Sequence, residues 1–166
     1  MSAPSLPIRI GDDAALLALV ALASDMLTDK DQRLVLAAYR IRGMLSFRSR
    51  RSEFARIRQE VIAALHEVRP RTVVMAFEGA DGVSRRSVDR IARHVTRDIS
   101  VAATNVVGSD TTVIGLVIMS QRERDLAATC VRHVAVEPPG RGDGLVFHAA
   151  DLSRANIYEL IEEAVF

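Results

Sequence analysis

One passage of the chain, VVMAFEGADGVSRRSVDRIARHV at residues 73–95, combines a buried-strand pattern, a glycine-containing turn and an amphipathic helix. The turn and the first helical turn carry polar side chains that could bind a partner, and the serines among them could accept a phosphate. These side chains are Glu78, Asp81, Ser84, Arg85, Arg86 and Ser87. A serine at a helix start caps the helix by accepting a backbone N–H. A phosphate added there would be stabilised by the helix N-terminus and the adjacent arginines. The sequence leaves both roles open for Ser84.

A second group of residues could bind anions. The densest basic patch consists of Arg48, Arg50, Arg51, Arg56 and Arg58. Residues 31–101 contain 15 arginines and 8 acidic residues, so one face of the domain could be positive and contact nucleic-acid phosphates. Only Phe47 and Phe54 lie near the patch as rings that could stack on bases. Because acidic residues are interleaved, the pattern favours a solvated charged surface over a nucleic-acid site.

Other residue types that carry chemistry are sparse. The histidines are His66, His94, His133 and His148, and none is spaced to share a helix face with another histidine. A catalytic or metal site would therefore have to be assembled by the fold from distant segments. Cys130 ends an apolar helical stretch, where a packed small hydrophobic residue is expected. We expect no cofactor and no metal.

Apolar periodicity predicts the elements that position these residues. Helices are predicted at 12–27, 28–45, 52–68, 84–97, 122–133 and 151–165. Strands are predicted at 72–77, 99–107, 111–119 and 145–148, and the run RLVLAAYRI within the second helix also fits a strand. The segment EPPGRGDG, residues 137–144, predicts a mobile surface loop.

These elements predict an α/β or α+β domain with a mixed sheet of about four strands flanked by helices. The crossover through the 84–97 helix favours parallel strands, whereas Gly108, Ser109 and Asp110 suit a hairpin between antiparallel strands. Residues 1–46 are predicted to form a helical segment packed on an α/β domain of residues 47–166.

Composition bounds the class of protein. The 166 residues suit one domain, and 49% apolar residues suffice for a packed core. The apolar run Ala14–Ala23 follows two acidic residues and is too short for a membrane span, so it predicts a buried helix. A single cysteine suits a reducing compartment, and we expect a cytoplasmic location with no membrane partner.

Residues 48–95 resemble the strand–turn–helix core of STAS-like domains of the anti-sigma-factor-antagonist type. The resemblance rests on FEGADGVSRRSVDRI preceded by SRRSEFARIRQEVIAAL, with Gly79, Gly82, Ser84 and Asp89 as its main positions. It implies a non-enzymatic module that binds a protein partner such as a kinase or an anti-sigma factor, in some members switched by serine phosphorylation. The usual Asp-Ser pair is replaced here by Ser84-Arg85-Arg86-Ser87.

Residues 55–165, ending in ANIYELIEEAV, are also similar to the tail-terminator proteins of Mu-like phages. That resemblance implies an α/β subunit of a homo-oligomeric, hexameric ring in phage tail or neck assembly. The main expectation is a regulatory interaction domain of bacterial or phage origin that acts by binding a protein partner. The alternatives are a ring subunit and an arginine-rich nucleic-acid-binding protein.

Overall fold

The computed structural model describes residues 8–12, 34–43 and 47–166. Within these ranges five strands alternate with helices along the chain. The strands are β1 (Ile8–Gly11), β2 (Leu34–Ile41), β3 (Thr72–Gly79), β4 (Thr112–Ile118) and β5 (Val146–His148). The helices are α1 (Phe47–Val68), α2 (Arg85–Val106), α3 (Gln121–Val136), a 3-10 helix (Ala149–Ser153) and α4 (Ile157–Val165).

The strands form one sheet in the order β1-β2-β3-β4-β5, and every described pair is parallel. The α/β class is confirmed, with five strands where about four were expected. The mixed sheet is wrong, because no antiparallel pair occurs among the described strands.

Helices cover both faces of the sheet. In β3, Val73, Met75 and Phe77 pack against α1 and α2, whereas Val74 and Ala76 face α3 and α4. A strand buried on both faces has to be apolar at almost every position, which explains the unbroken run VVMAF. The sheet therefore lies in the middle of a three-layer domain.

The crossover connections do not all lie on the same face. Helices α1 and α2 connect successive strands across one face, whereas α3 connects β4 to β5 across the other. Because the strand order advances in one direction throughout, the β4–α3–β5 crossover has the opposite hand from the two before it. Crossovers between parallel strands are nearly always right-handed, so one of the two hands found here is the rare, left-handed one.

The predicted hairpin is replaced by a longer helix. Residues 99–106 continue α2, where Ile99, Ala102 and Ala103 extend the buried face begun by Val88 and Ile91. Val101, between them, is 58% exposed, as helical spacing requires. The weak strand preference of β-branched residues is overridden here by a helical face that packs on the sheet.

The helix predicted at 28–45 is also wrong where the structure describes it. Residues Leu34–Ile41 form β2, and Leu34–Tyr39 are all buried. Leucine and alanine favour helices, but a position between two paired strands overrides that preference. The described parts of segment 1–46 thus supply two strands to the main sheet. The helix predicted at 12–27 lies outside the described residues.

The remaining elements are close to their predicted positions, with two differences. Helix α1 begins at Phe47, before the predicted Ser52. The predicted C-terminal helix is divided into the 3-10 helix and α4, because Asn156 starts a new helix through a capping box with Glu159.

The 137–144 loop is held to the sheet by its aspartate. Asp143 accepts hydrogen bonds from the Val113 N–H at 2.8 Å and from the Ser100 hydroxyl at 2.6 Å. The Gly144 N–H donates to the Val113 carbonyl at 2.7 Å. Gly142 and Gly144 have φ values of 88° and 77°, which suit glycine. The Arg-Gly-Asp sequence is thus part of a structural anchor.

Candidate functional site

The turn between β3 and α2 lies at the carboxyl edge of the sheet. The chain leaves β3 at Gly79 and turns at Gly82, whose φ of 82° suits glycine. Ser84 is the N-cap of α2, and its hydroxyl accepts the Ser87 N–H at 3.2 Å. The predicted strand–turn–helix and the capping role of Ser84 are confirmed.

The first turn of α2 is unusually basic. Arg85 and Arg86 occupy its first two positions, and no acidic residue balances them there. Cations at a helix N-terminus are disfavoured by the helix dipole. Ser84 is exposed and its hydroxyl lies 2.9 Å from that of Ser87. Arg86 is exposed, so this turn presents positive charge to solvent beside two hydroxyl groups.

The positive charge of Arg85 is neutralised by a carboxylate from a helix on the other side of the sheet. Its guanidinium forms a two-pronged ion pair with Glu123 of α3, at 3.1 and 2.5 Å. Glu123 also accepts a hydrogen bond from the Met119 N–H at 2.9 Å, and only 7% of the surface of Glu123 is exposed. Burial alone would raise the pKa of Glu123, but the hydrogen bonds from Arg85 and Met119 outweigh burial and lower it. The ion pair joins two helices that cover opposite faces.

Two further ion pairs join elements at this edge. Glu78, at the end of β3, pairs with Arg124 of α3. Asp89 of α2 contacts His148 Nε2 at 2.8 Å and Arg93 at 2.8 Å. Burial raises the pKa of Asp89, but the hydrogen bonds from Arg93 and His148 prevail and lower it. The carboxylates of Glu78, Asp89 and Glu123 are thus occupied by cationic or imidazole partners.

Two adjoining pockets form a groove beside this turn. One, of about 410 Å³, lies between the end of β2 and α1, and the other, of about 440 Å³, lies between α1 and α2. Both are lined by Arg50, Phe54 and Ile91. We call the two pockets together the arginine groove, whose lining includes Arg40, Arg42, Arg50, Arg51, Arg56 and Arg90.

The arginines of the groove differ in their partners. Arg56 lies 2.6 Å from Glu53, 3.3 Å from Glu60 and 3.7 Å from Asp12. Among the residues that the structure describes, no carboxylate pairs with the other five arginines of the groove. The groove therefore carries several positive charges that are not balanced by its own walls.

The basic patch expected from the sequence is divided by the structure. Arg50 and Arg51 line the groove, and Arg48 is exposed. Arg56 and Arg58 are in ion pairs, the latter with Asp98 at 2.8 Å. Ser87 lines the groove, so the turn and part of the patch belong to one surface.

The histidines are dispersed. His66 and His133 are exposed on α1 and α3, and His94 lines the groove with its ring centroid 5.3 Å from that of Phe54. Only His148 contacts a carboxylate among the described residues. Within those residues, no three histidine, cysteine, aspartate or glutamate side chains are grouped as metal ligands. Burial raises the pKa of Cys130 to about 12, as for a packed thiol.

None of the helices in the described part of the chain combines the length and apolar character needed to cross a membrane. The chain matches no protein-family model, no curated protein and no solved structure. Function therefore has to be inferred from the geometry of this chain's own residues.

Sequence reasoning did not identify Glu123, Arg124 or the groove residues Arg40 and Arg42 as parts of a site. The spacing Ser120-x-x-Glu123 matches a capping-box pattern that predicts a helix start after β4. The carboxyl ends of parallel strands share one edge of a sheet. A parallel interpretation of the sheet would therefore have placed the start of this helix beside the Ser84 turn.

Replacing Ser84 tests the capping role. We expect Ser84→Ala to lower the free energy of unfolding by about 0.5–2 kcal/mol, because the Ser87 N–H loses its acceptor. Ser84→Asp should stay close to wild type, since aspartate caps helices and favours their N-termini. Urea unfolding measures both. Ser109→Ala, at an exposed turn, is the control. A fully stable Ser84→Ala variant would contradict the role.

The lowered pKa of Glu123 predicts a pH dependence of stability. Above its ordinary value of 4.5 the carboxylate is ionised in both states, and its contribution is fully present. As the pH falls below 4.5, the unfolded state binds the proton first. The contribution of the carboxylate to the free energy of unfolding is then lost as the pH passes through the lower pKa of the folded state. Glu123→Gln should therefore lose less stability than wild type between about pH 7 and about pH 3.

Urea unfolding across this pH range measures the difference in slope. Glu162→Gln, at an exposed position of α4, is the matched control and should follow the wild-type curve. Parallel curves for wild type and Glu123→Gln would show that the ion pair contributes nothing to the pH dependence.

Proposed function

We propose that the protein is a non-enzymatic interaction domain that binds a protein partner through the Ser84 turn and the arginine groove. The observation that carries this proposal is the contrast between two neighbouring charged regions. At the carboxyl edge, Glu78 and Glu123 form ion pairs and Asp89 shares a hydrogen bond with His148, and these contacts hold elements together. In the groove, five of the six lining arginines pair with no carboxylate of the described residues.

Two further observations support the proposal. Arg86 places an exposed cation at the positive end of α2, an arrangement that costs stability in the free protein. A partner that brings negative charge to this turn would remove that cost. The STAS-like resemblance of residues 48–95 points to partner binding as well, and a regulatory role is part of the same proposal.

A photo-crosslinking amino acid at position 86 tests the proposal. In an extract of the organism that encodes the protein, we expect the variant to form an adduct with one major protein species. The same amino acid at Asp110, in the exposed turn after α2, is the matched control and should give no such adduct. Identical adducts from both positions, or none from position 86, would contradict a partner site at the turn.

Solution mass tests the ring-subunit alternative, which rests on the similarity of residues 55–165 to phage tail-terminator proteins. For the interaction domain we expect a monomer or dimer of the 18.2 kDa chain at both low and high salt. A ring subunit should instead give about six times that mass. Light scattering on the purified protein separates the two, and a stable particle of hexamer size would replace the regulatory proposal with an assembly role.

A further inference from the structure

The shape of the arginine groove favours an extended ligand. Its two pockets, of about 410 and 440 Å³, lie side by side and share the lining residues Arg50, Phe54 and Ile91. A compact molecule would fill one pocket and leave the other empty. An extended peptide advances about 3.3 Å per residue and can pass from one pocket to the other.

The charges of the groove are placed in both pockets. Arg42 lies at one end and Arg51 and Arg90 at the other, with Arg50 common to both. Arginine presents a planar fork that pairs with carboxylates through two hydrogen bonds. A ligand with acidic groups at both ends therefore has more than one set of donors available.

The middle of the groove is apolar. Phe54 is half-buried, and Ile91 is 5% exposed and belongs to the core between the sheet and α1 and α2. The ring of Phe54 lies against His94 at a centroid distance of 5.3 Å. A leucine or similar apolar side chain placed here would be withdrawn from water, which stabilises the complex.

We infer that the arginine groove binds an extended acidic segment of the partner, with an apolar side chain seated against Phe54 and Ile91. This inference rests on the proposed function and adds the chemistry of the segment that is bound. The acidic residues on either side of the apolar residue pair with the arginines of the two pockets.

The groove is less suited to a nucleic acid. Single strands bind where several aromatic rings stack on successive bases, whereas the rings among the described groove residues are those of Phe54 and His94, which already lie against each other. A peptide can place an apolar side chain at the middle and carboxylates only at the two ends.

Fluorescence anisotropy with synthetic probes tests the inference on the full chain. The first probe is a labelled peptide of about ten residues with aspartates and glutamates around one central leucine. In the second the leucine is replaced by serine, in the third the acidic residues by lysine, and the fourth is a single-stranded oligonucleotide of similar length. We expect saturable binding of the first, about ten-fold weaker binding of the second, and none of the third.

Charge reversal locates the binding. The triple variant Arg50→Glu, Arg51→Glu, Arg90→Glu should bind the first peptide about ten-fold more weakly or worse, because attraction is replaced by repulsion. The triple variant Arg71→Glu, Arg122→Glu, Arg141→Glu has the same net charge and alters exposed arginines outside the groove. It should bind as wild type does. If the groove variant unfolds, the milder Arg50→Gln, Arg51→Gln, Arg90→Gln takes its place.

Three results would overturn the inference. The leucine and serine peptides could bind equally, both triple variants could weaken binding equally, or the oligonucleotide could bind more tightly than the peptide and lose affinity in the groove variant. The last result would assign the groove to nucleic acid. A partner crosslinked from position 86 together with no peptide binding would leave the proposed function standing and remove only the groove as its site.

Discussion

The burial of the Glu123 carboxylate is the constraint on which the arrangement of the carboxyl edge depends. A buried carboxylate is destabilising unless it is paired and fully hydrogen-bonded. Arg85 and the Met119 N–H meet that requirement. Because Arg85 belongs to α2 and Glu123 to α3, the same contacts fix the starts of two helices on opposite faces of the sheet. The position of the Ser84 turn follows from them.

The groove depends on the same arrangement. Helices α1 and α2 lie side by side on one face, and the core residues Ile57 and Val88 are among those that hold them there. With Arg85 drawn toward α3, the neighbouring side chains Ser87 and Arg90 line the groove together with residues of α1. Structural contacts and the proposed ligand contacts are therefore divided among residues within two helical turns of α2.

The sequence was informative where local patterns decide the structure. Ser84 as a cap, β3 and the apolar face of α2 could be predicted because capping and periodicity depend on neighbouring residues. Residues 34–41 and 99–106 could not, since each has an ambiguous local preference that tertiary packing decides. The Arg85–Glu123 pair joins residues 38 positions apart and becomes visible only once the strand order is known.

The strands at the two ends of the described sheet are short. Strand β1 pairs with β2 over four residues, and β5 pairs with β4 over three before the 3-10 helix begins. Short edge strands expose few free backbone N–H and C=O groups, so they are poor templates for another chain. Sheet extension between molecules is therefore disfavoured, which protects the protein from edge-to-edge aggregation. Among the described elements, the helices and loops therefore offer more surface for contacts between copies of the chain than the sheet edges do.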